Sequence, residues 1–244
     1  RRELIAGINH MGWLLELHDK DGNDLYPGDP QTASREECTE NMTIWCVLSI
    51  SNILDIIAPN PANITQNTTR YLSNPDIGND RKYNIPLDEY PRRCVEQIKG
   101  WEKEREDILK DGKVTHERSK EYASYIMEAV VTGNPYKIGG NVLNTGLIDN
   151  LPSDACVEVP CMVDANGINP CHVGRLPVQL AAMNMTNINV QLLTIEAAAT
   201  RSKEKIYQAA MLEPHTAAEL NIDDIKAMCD ELIEAHGDYM SMYK

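Results

Sequence analysis

The stretch "AGINHMGWLLEL" (6–17) decides how this chain is read. Met11, Trp13, Leu15 and Leu17 alternate with smaller or polar positions, the period of a half-buried strand. The Asp21–Gly22 pair that follows supplies positive-φ positions, which predicts a β-hairpin over residues 11–26. The prolines of "DLYPGDP" (24–30) then end regular pairing. His10 stands at the mouth of the strand beside Asn9. An imidazole there either packs quietly or holds a metal, and these twelve residues leave both open.

A second strand is expected in "ACVEVPCMVDANGI" (155–168), which alternates and then turns at Asn166–Gly167. Pro160 cannot donate to a ladder, so this strand is expected at a sheet edge. The preceding "GGNVLNTGLIDNLP" (139–152) scatters glycines and amides, a composition that brings backbone close to something polar. The rest reads mostly as helix. Residues 36–57 form an apolar stretch, and 58–82 have the Asn, Pro and Thr of a loop. In 89–110, Val95, Ile98, Trp101 and Ile108 make an apolar stripe expected to pack in the core. A helix over 119–132 is expected to be capped by Ser119 and ended by Gly133. Further helices are expected at 177–184, 189–201, 203–211 and 222–236, with Gly237 as a C-terminal cap. The fold class is therefore α+β, helix-rich, with a small and mostly antiparallel sheet.

The 244 residues suffice for a buried core without disulfide staples. Lys and Arg total 23 against 37 Asp and Glu, a formal charge of −14. Such a surface repels nucleic acid phosphates and anionic lipids, so neither nucleic acid nor membrane is expected as a partner. No apolar run approaches the roughly 18 residues of a membrane span. Seven cysteines occur without a C-x-x-C pair, which fits reduced cytoplasmic thiols better than a disulfide framework. Sequons at Asn41, Asn63, Asn67 and Asn184 would matter only in a secreted protein.

No self-sufficient cofactor site is visible. The six histidines, His10, His18, His116, His172, His215 and His236, form no H-x-x-x-H pair. His18 and His116 sit in charged stretches, His215 stands at a helix entry, and His236 falls at a helix end, where a cation suits the dipole. There is no G-x-G-x-x-G after a strand, no P-loop and no G-x-S-x-G. Glu158 and Asp164 flank the second strand, but spacing alone does not make them a catalytic pair.

Taken together, "AGINHMGWLLEL" (6–17), "NIPLDEYPRRCVEQIKGW" (84–101), "SKEYASYIMEAVVTG" (119–133), "GNVLNTGLIDNLPSDACVEVPCMVDANGI" (140–168), "VGRLPVQLAAMNMTNINVQLLTIEA" (173–197) and "AAMLEPHTAAELNIDDI" (209–225) resemble the C-terminal half of family four glycoside hydrolases, in their α-galactosidase branch. The resemblance implies the C-terminal fold of the lactate/malate dehydrogenase-like superfamily, with residues 1–244 as the substrate- and metal-binding domain and the NAD-binding domain outside them. It also implies NAD and a divalent metal, usually manganese, as cofactors, because this family is an NAD-dependent exception among glycosidases. The implied route is oxidation at sugar C3, deprotonation at C2, elimination of the C1 leaving group, water addition and return of the hydride. The family's I-N-H-M motif matches Ile8-Asn9-His10-Met11, which makes His10 the expected metal ligand and places Asn9 at the sugar. Asn144 and Asn150 are expected in the same pocket, since amides both donate to and accept from hydroxyls.

Three departures matter. The family's metal-binding cysteine and glycine-rich phosphate turn precede the I-N-H-M motif, so this chain alone is expected to be inactive. Residues 40–82 do not match the branch; the catalytic base would be sought there, and Tyr71 and Tyr83 are candidates by type alone. Leu143 stands where the branch often has Arg. The expectation is thus part of an NAD- and manganese-dependent α-galactosidase, cytoplasmic and homo-oligomeric. The alternatives are a silent binding or oligomerisation module, or a relative acting on α-glucosides or uronides.

Overall fold

The fold is that of a computed structural model, which describes residues 2–24, 89–112, 118 and 121–244. The helix expected over 36–57, the loop over 58–82, Ser119, His116, Tyr71 and Tyr83 lie outside the described residues. In chain order the elements are β1 (Arg2–Ile8), β2 (Met11–His18), α1 (Glu89–Asp111), α2 (Ala123–Thr132), β3 (Tyr136–Leu143), β4 (Cys156–Asp164), β5 (Gly167–Pro170), α3 (Val178–Thr200), α4 (Lys203–Leu212), α5 (Pro214–Glu219) and α6 (Ile222–His236). A 3₁₀ turn, Gly237–Met240, follows. The strands run in the order β2-β1-β4-β3, with β5 also on β4, and every pair is antiparallel. The α+β expectation holds.

One face of the sheet carries the core. Val157, Val159, Cys161 and Val163 alternate inward along β4 and are fully buried. Ala6 and Ile8 join them from β1, Met11 and Trp13 from β2, and Leu180, Met183 and Ile188 from α3. A buried polar link fixes α3 to β2. The Trp13 indole N–H donates to Asn184 Oδ1 at 2.9 Å, and Asn184 Nδ2 donates to the Met11 carbonyl at 2.9 Å. The Asn184 side chain is thus satisfied inside the protein, a setting that burial of an amide requires.

Several expectations need correction. The strand over 11–18 exists, but its partner is β1 on the upstream side, joined by the two residues Asn9 and His10. The Asp21–Gly22 turn forms, with Gly22 at φ +87°, yet it closes only a single bridge between His18 and Asp24. β4 is not an edge strand: β3 flanks it on one side, β1 and then β5 on the other. Pro160 is tolerated because it sits where the second partner changes from β1 to β5, and its carbonyl still accepts from the Cys171 N–H at 2.8 Å. Strand β3 was hidden among glycines. Gly140 is required there, since a Cβ would lie 2.6 Å from Cys161 Sγ.

The break expected near residue 185 is absent, and α3 runs unbroken because its middle is pinned by the Asn184 bonds and by buried Ile188. Helix α2 begins at Ala123 and ends, as expected, at Gly133 in the left-handed conformation. Helix α1 forms, but its stripe does not enter the core: Val95 is 50%, Ile98 60% and Trp101 66% exposed. Periodicity identifies the face that seeks burial without naming what buries it. The five described cysteines, Cys94, Cys156, Cys161, Cys171 and Cys229, are free thiols. No helix among the described residues is long and apolar enough to cross a membrane.

Candidate functional site

The β1–β2 hairpin turns on Asn9 and His10 between the paired residues Ile8 and Met11. Such a turn needs positive φ, and His10 supplies it at +64°. A left-handed residue with a Cβ costs roughly 1–2 kcal/mol, and strain of this kind gathers at functional sites. Gly7, two residues before the turn, is sterically fixed: a Cβ there would lie 2.3 Å from the Met11 carbonyl oxygen. Both Asn9 and His10 are exposed. The His10 ring makes no hydrogen bond among the described residues, and Glu158 lies near it.

The face of the sheet opposite the core is polar near this turn. Gly12, Gly7, Glu158 and Asn141 stand in register across β2, β1, β4 and β3. Glu158 is half-buried, and burial pushes its carboxyl above the usual glutamate range, with nearby His10 pulling the other way. A Cβ on Gly139 would come within 3.1 Å of Glu158 Oε1, so that glycine leaves room for the carboxylate. Sequence reading noted Glu158 but gave it no role. The signal was present in "VEVPC", where a charge between buried valines must leave on the opposite face of the strand.

Antiparallel pairing places the Asn9–His10 turn and loop 144–155 at the same end of the sheet, because Gly7 pairs with Glu158 and Leu143 with Cys156. Within that loop Asn144 departs from expectation. It is 1% exposed. Its Oδ1 accepts from the N–H groups of Leu147 and Ile148 at 3.0 and 2.9 Å. Its Nδ2 donates to the carbonyls of Ile148, Leu151 and Pro152 at 2.9, 2.9 and 3.1 Å. The amide has nothing left for a ligand; Asn144 holds the loop's shape. Asn150 is half-buried and pairs with the backbone of Leu176, donating to its carbonyl and accepting from its N–H at 2.9 Å each. It ties loop 144–152 to the chain before α3. A second tie is His172 Nε2 to Asp149 Oδ1 at 3.0 Å, on the surface.

The other histidines stay apart from this end. His236 lies in the last turn of α6, its Nδ1 2.6 Å from the Leu232 carbonyl. His215 is in α5, whose entry is capped instead by Glu213. His18 sits at the far end of β2 with its Nδ1 buried and unpartnered. Among the described residues no three His, Cys, Asp or Glu side chains cluster as a metal cage. His10 therefore offers one imidazole donor and no more.

Residues 5–216 match the family 4 glycosyl hydrolase C-terminal domain. The chain belongs to glycosyl hydrolase family 4. This family 4 chain is 51% identical over 244 residues to an α-galactosidase of Bacillus subtilis, covering 99% of the chain and 56% of that relative. It is 31% identical over 267 residues to a maltose-6'-phosphate glucosidase of Fusobacterium mortiferum, covering 99% and 56%. The chain thus spans little more than half the length of these relatives. Its fold matches a 6-phospho-α-glucosidase from gut microorganisms in complex with NAD and Mn²⁺, with a TM-score of 0.70 at 21% identity, over 99% of this chain and 55% of that one. A structure of such an enzyme with NAD and glucose-6-phosphate gives 0.74 at 21% identity, over 100% and 57%.

Proposed function

We propose that these 244 residues are the substrate- and metal-binding half of an NAD- and manganese-dependent α-galactosidase. The observation that carries this reading is the exposed, left-handed His10 at the end of the sheet where the half-buried Glu158 lies near it, in a chain 51% identical to an α-galactosidase. The lower, 31% identity to a glucosidase of phosphorylated maltose favours an unphosphorylated galactoside as substrate.

His10 fits one position of a manganese shell. It is exposed, carries no competing hydrogen bond among the described residues and is held by a two-residue turn, and neutral imidazole suits such ions. No group of three or more such donors surrounds it among the described residues, so substrate, water or protein outside them completes the shell. The described residues also contain no glycine-rich turn for a dinucleotide. When bound, the ion supplies Lewis-acid polarisation of sugar oxygens, and the dinucleotide takes and returns a hydride. This chain's own work is then to hold the ion with His10, to set Asn9 beside the sugar, and to fix the pocket wall. In that wall Asn144 shapes the loop and Asn150 anchors it to Leu176, with its remaining amide hydrogen turned to the ligand. Oxidation at C3, deprotonation at C2 and elimination of the C1 leaving group remain the family route we infer for the complete enzyme, which works in the cytoplasm as a homo-oligomer.

The alternative, an assembly module without catalysis, draws support from the exposed stripe of α1. One experiment separates the two. Residues 1–244 are grafted onto the remaining portion of the Bacillus subtilis α-galactosidase, and hydrolysis of p-nitrophenyl α-D-galactoside is followed. Turnover is expected, abolished by chelator and by removal of NAD, with none from the 244 residues alone. A folded but inert chimera supports the module, and turnover by the 244 residues alone overturns the division of labour.

A further inference from the structure

We infer that α1 is an interface between copies of this chain, packed antiparallel against the same helix of a second copy. None of its described residues is buried, and among them only Cys94 is even half-buried. Helices in folded proteins draw most of their stability from packing an apolar face. That face exists here and lies bare. Val95, Ile98, Trp101, Ile108 and Leu109 fall within an arc of about 140° at 3.6 residues per turn, and all five are exposed.

The charges beside the stripe select the partner. Arg92, Arg93 and Lys99 border it in the N-terminal half, and Glu102, Glu104 and Glu106 border it in the C-terminal half. Arg92, Lys99, Glu102 and Glu106 share one flank, while Arg93 and Glu104 share the other. A helix with this polarity is complementary to its own reversed copy. With the two-fold axis between Lys99 and Gly100, Arg92 meets the partner's Glu106, Lys99 the partner's Glu102 and Arg93 the partner's Glu104, each on its own flank. The same register sets Ile98 against the partner's Trp101. It sets Arg105 against the partner's smaller Cys94, which leaves room for the arginine stem on apolar surface and its guanidinium in water. Parallel pairing would instead set like charges against each other along both flanks, which is unfavourable. Lys110 shares Glu106 at 3.7 Å, an exposed pair of little strength. A formal chain charge of −14 and the glutamates beside the stripe disfavour an anionic lipid surface as the occupant. Two 23-residue helices, each about 34 Å long, make a small interface, so dissociation on the order of micromolar is expected. This inference names the surface of the homo-oligomer in the reading above and rests on none of its chemistry.

The test is analytical ultracentrifugation of the 244-residue chain at about 1–100 µM. Wild type is expected to associate across that range, and Trp101→Glu to halve the sedimenting mass. Arg92→Glu with Arg93→Glu is expected to weaken association at least about tenfold, and Glu104→Arg with Glu106→Arg likewise, because attractive pairs at both ends become repulsive. An equimolar mixture of the two double variants is expected to restore association, since opposite charges then face each other at both ends. Circular dichroism checks that each variant keeps its helix content. A wild-type chain that stays monomeric, or association that Trp101→Glu leaves unchanged, overturns the interface. Double variants that associate as tightly as wild type overturn the antiparallel arrangement. A monomer that pellets with phosphatidylserine-containing vesicles makes the stripe a lipid-binding face instead. The two proposals fail separately. An inert chimera with the expected sedimentation removes the hydrolase reading and leaves the interface. An active chimera with association unmoved by Trp101→Glu removes the interface and leaves the hydrolase.

Discussion

Replacing Asn144 with Ala should destabilise the chain severely, because its amide stands in for secondary structure across loop 144–152. The substitution strips the buried N–H groups of Leu147 and Ile148 of their acceptor. Each unpaired buried donor costs about 1–3 kcal/mol, so together about 2–6 kcal/mol. The carbonyls add less, since Ile148 O still accepts from Leu151 N and Pro152 O from Ala155 N. A loss near 4 kcal/mol would remove a large share of the roughly 5–15 kcal/mol that holds a domain folded. Equilibrium urea unfolding, followed by tryptophan fluorescence and far-UV circular dichroism, measures it. The midpoint should fall by about 1.3–4 M at urea m-values of about 1–3 kcal/mol/M. Asn144→Asp supplies a control: it keeps the acceptor for both N–H groups but turns a second oxygen toward three carbonyls, and it should cost at least as much. The reasoning fails if Asn144→Ala unfolds at the wild-type midpoint while weakening galactoside binding, for that pattern belongs to a ligand contact.

Two further outcomes follow from the same geometry. His10→Gly should raise stability by about 0.5–1 kcal/mol in the urea assay, because relief of the left-handed Cβ outweighs the added chain entropy of glycine; manganese affinity, titrated by electron paramagnetic resonance, should fall in the same variant. Glu213→Ala should cost about 1 kcal/mol at pH 7, the loss of a helix cap. Burial pushes the Glu213 carboxyl up, but the Thr216 N–H and hydroxyl and the His215 N–H together hold it below its ordinary 4.5. The unfolded chain therefore binds the proton first, so the cap's contribution is present above pH 4.5 and is lost as pH falls through the lower folded value. Wild type and variant should converge in acid, and a constant gap between them down to pH 3 would rule out the charged cap.

What the sequence revealed tracks how local each cause is. Alternation in 11–17 and 155–163 located two strands because side-chain direction in a strand is set residue by residue. Gly133 and Gly237 marked helix ends for the same local reason. Partners were less legible. The hairpin turns on Asn-His rather than on a glycine pair, so Asp21–Gly22 drew the turn downstream. β4 passed for an edge because the exchange of β1 for β5 at Pro160 depends on distant chain. α3 was divided because "MTNIN" (185–189) lacks strong helix formers, and tertiary packing through Asn184 and Ile188 overrides propensity there. At the candidate site, the motif resemblance singled out His10 and Asn9, and the structure leaves both open to solvent. It also singled out Asn144, whose amide type suits a sugar and a loop scaffold equally; only the five bonds decide between them.

The contrast between Asn144 and Glu158 carries the functional argument further than either residue alone. Asn184 and Asn144 are the buried polar side chains of the described chain, and every group they carry is bonded. Among the described residues the same fold leaves the half-buried Glu158 carboxylate without a hydrogen bond and sets His10 near it in a left-handed turn. Neither choice favours folding, since a half-buried carboxylate and a left-handed Cβ both lower stability. Glutamine at 158 and glycine at 10 would each be easier to fold. In the proposed site the His10 imidazole is the donor offered to a cation, and Glu158 stands near it.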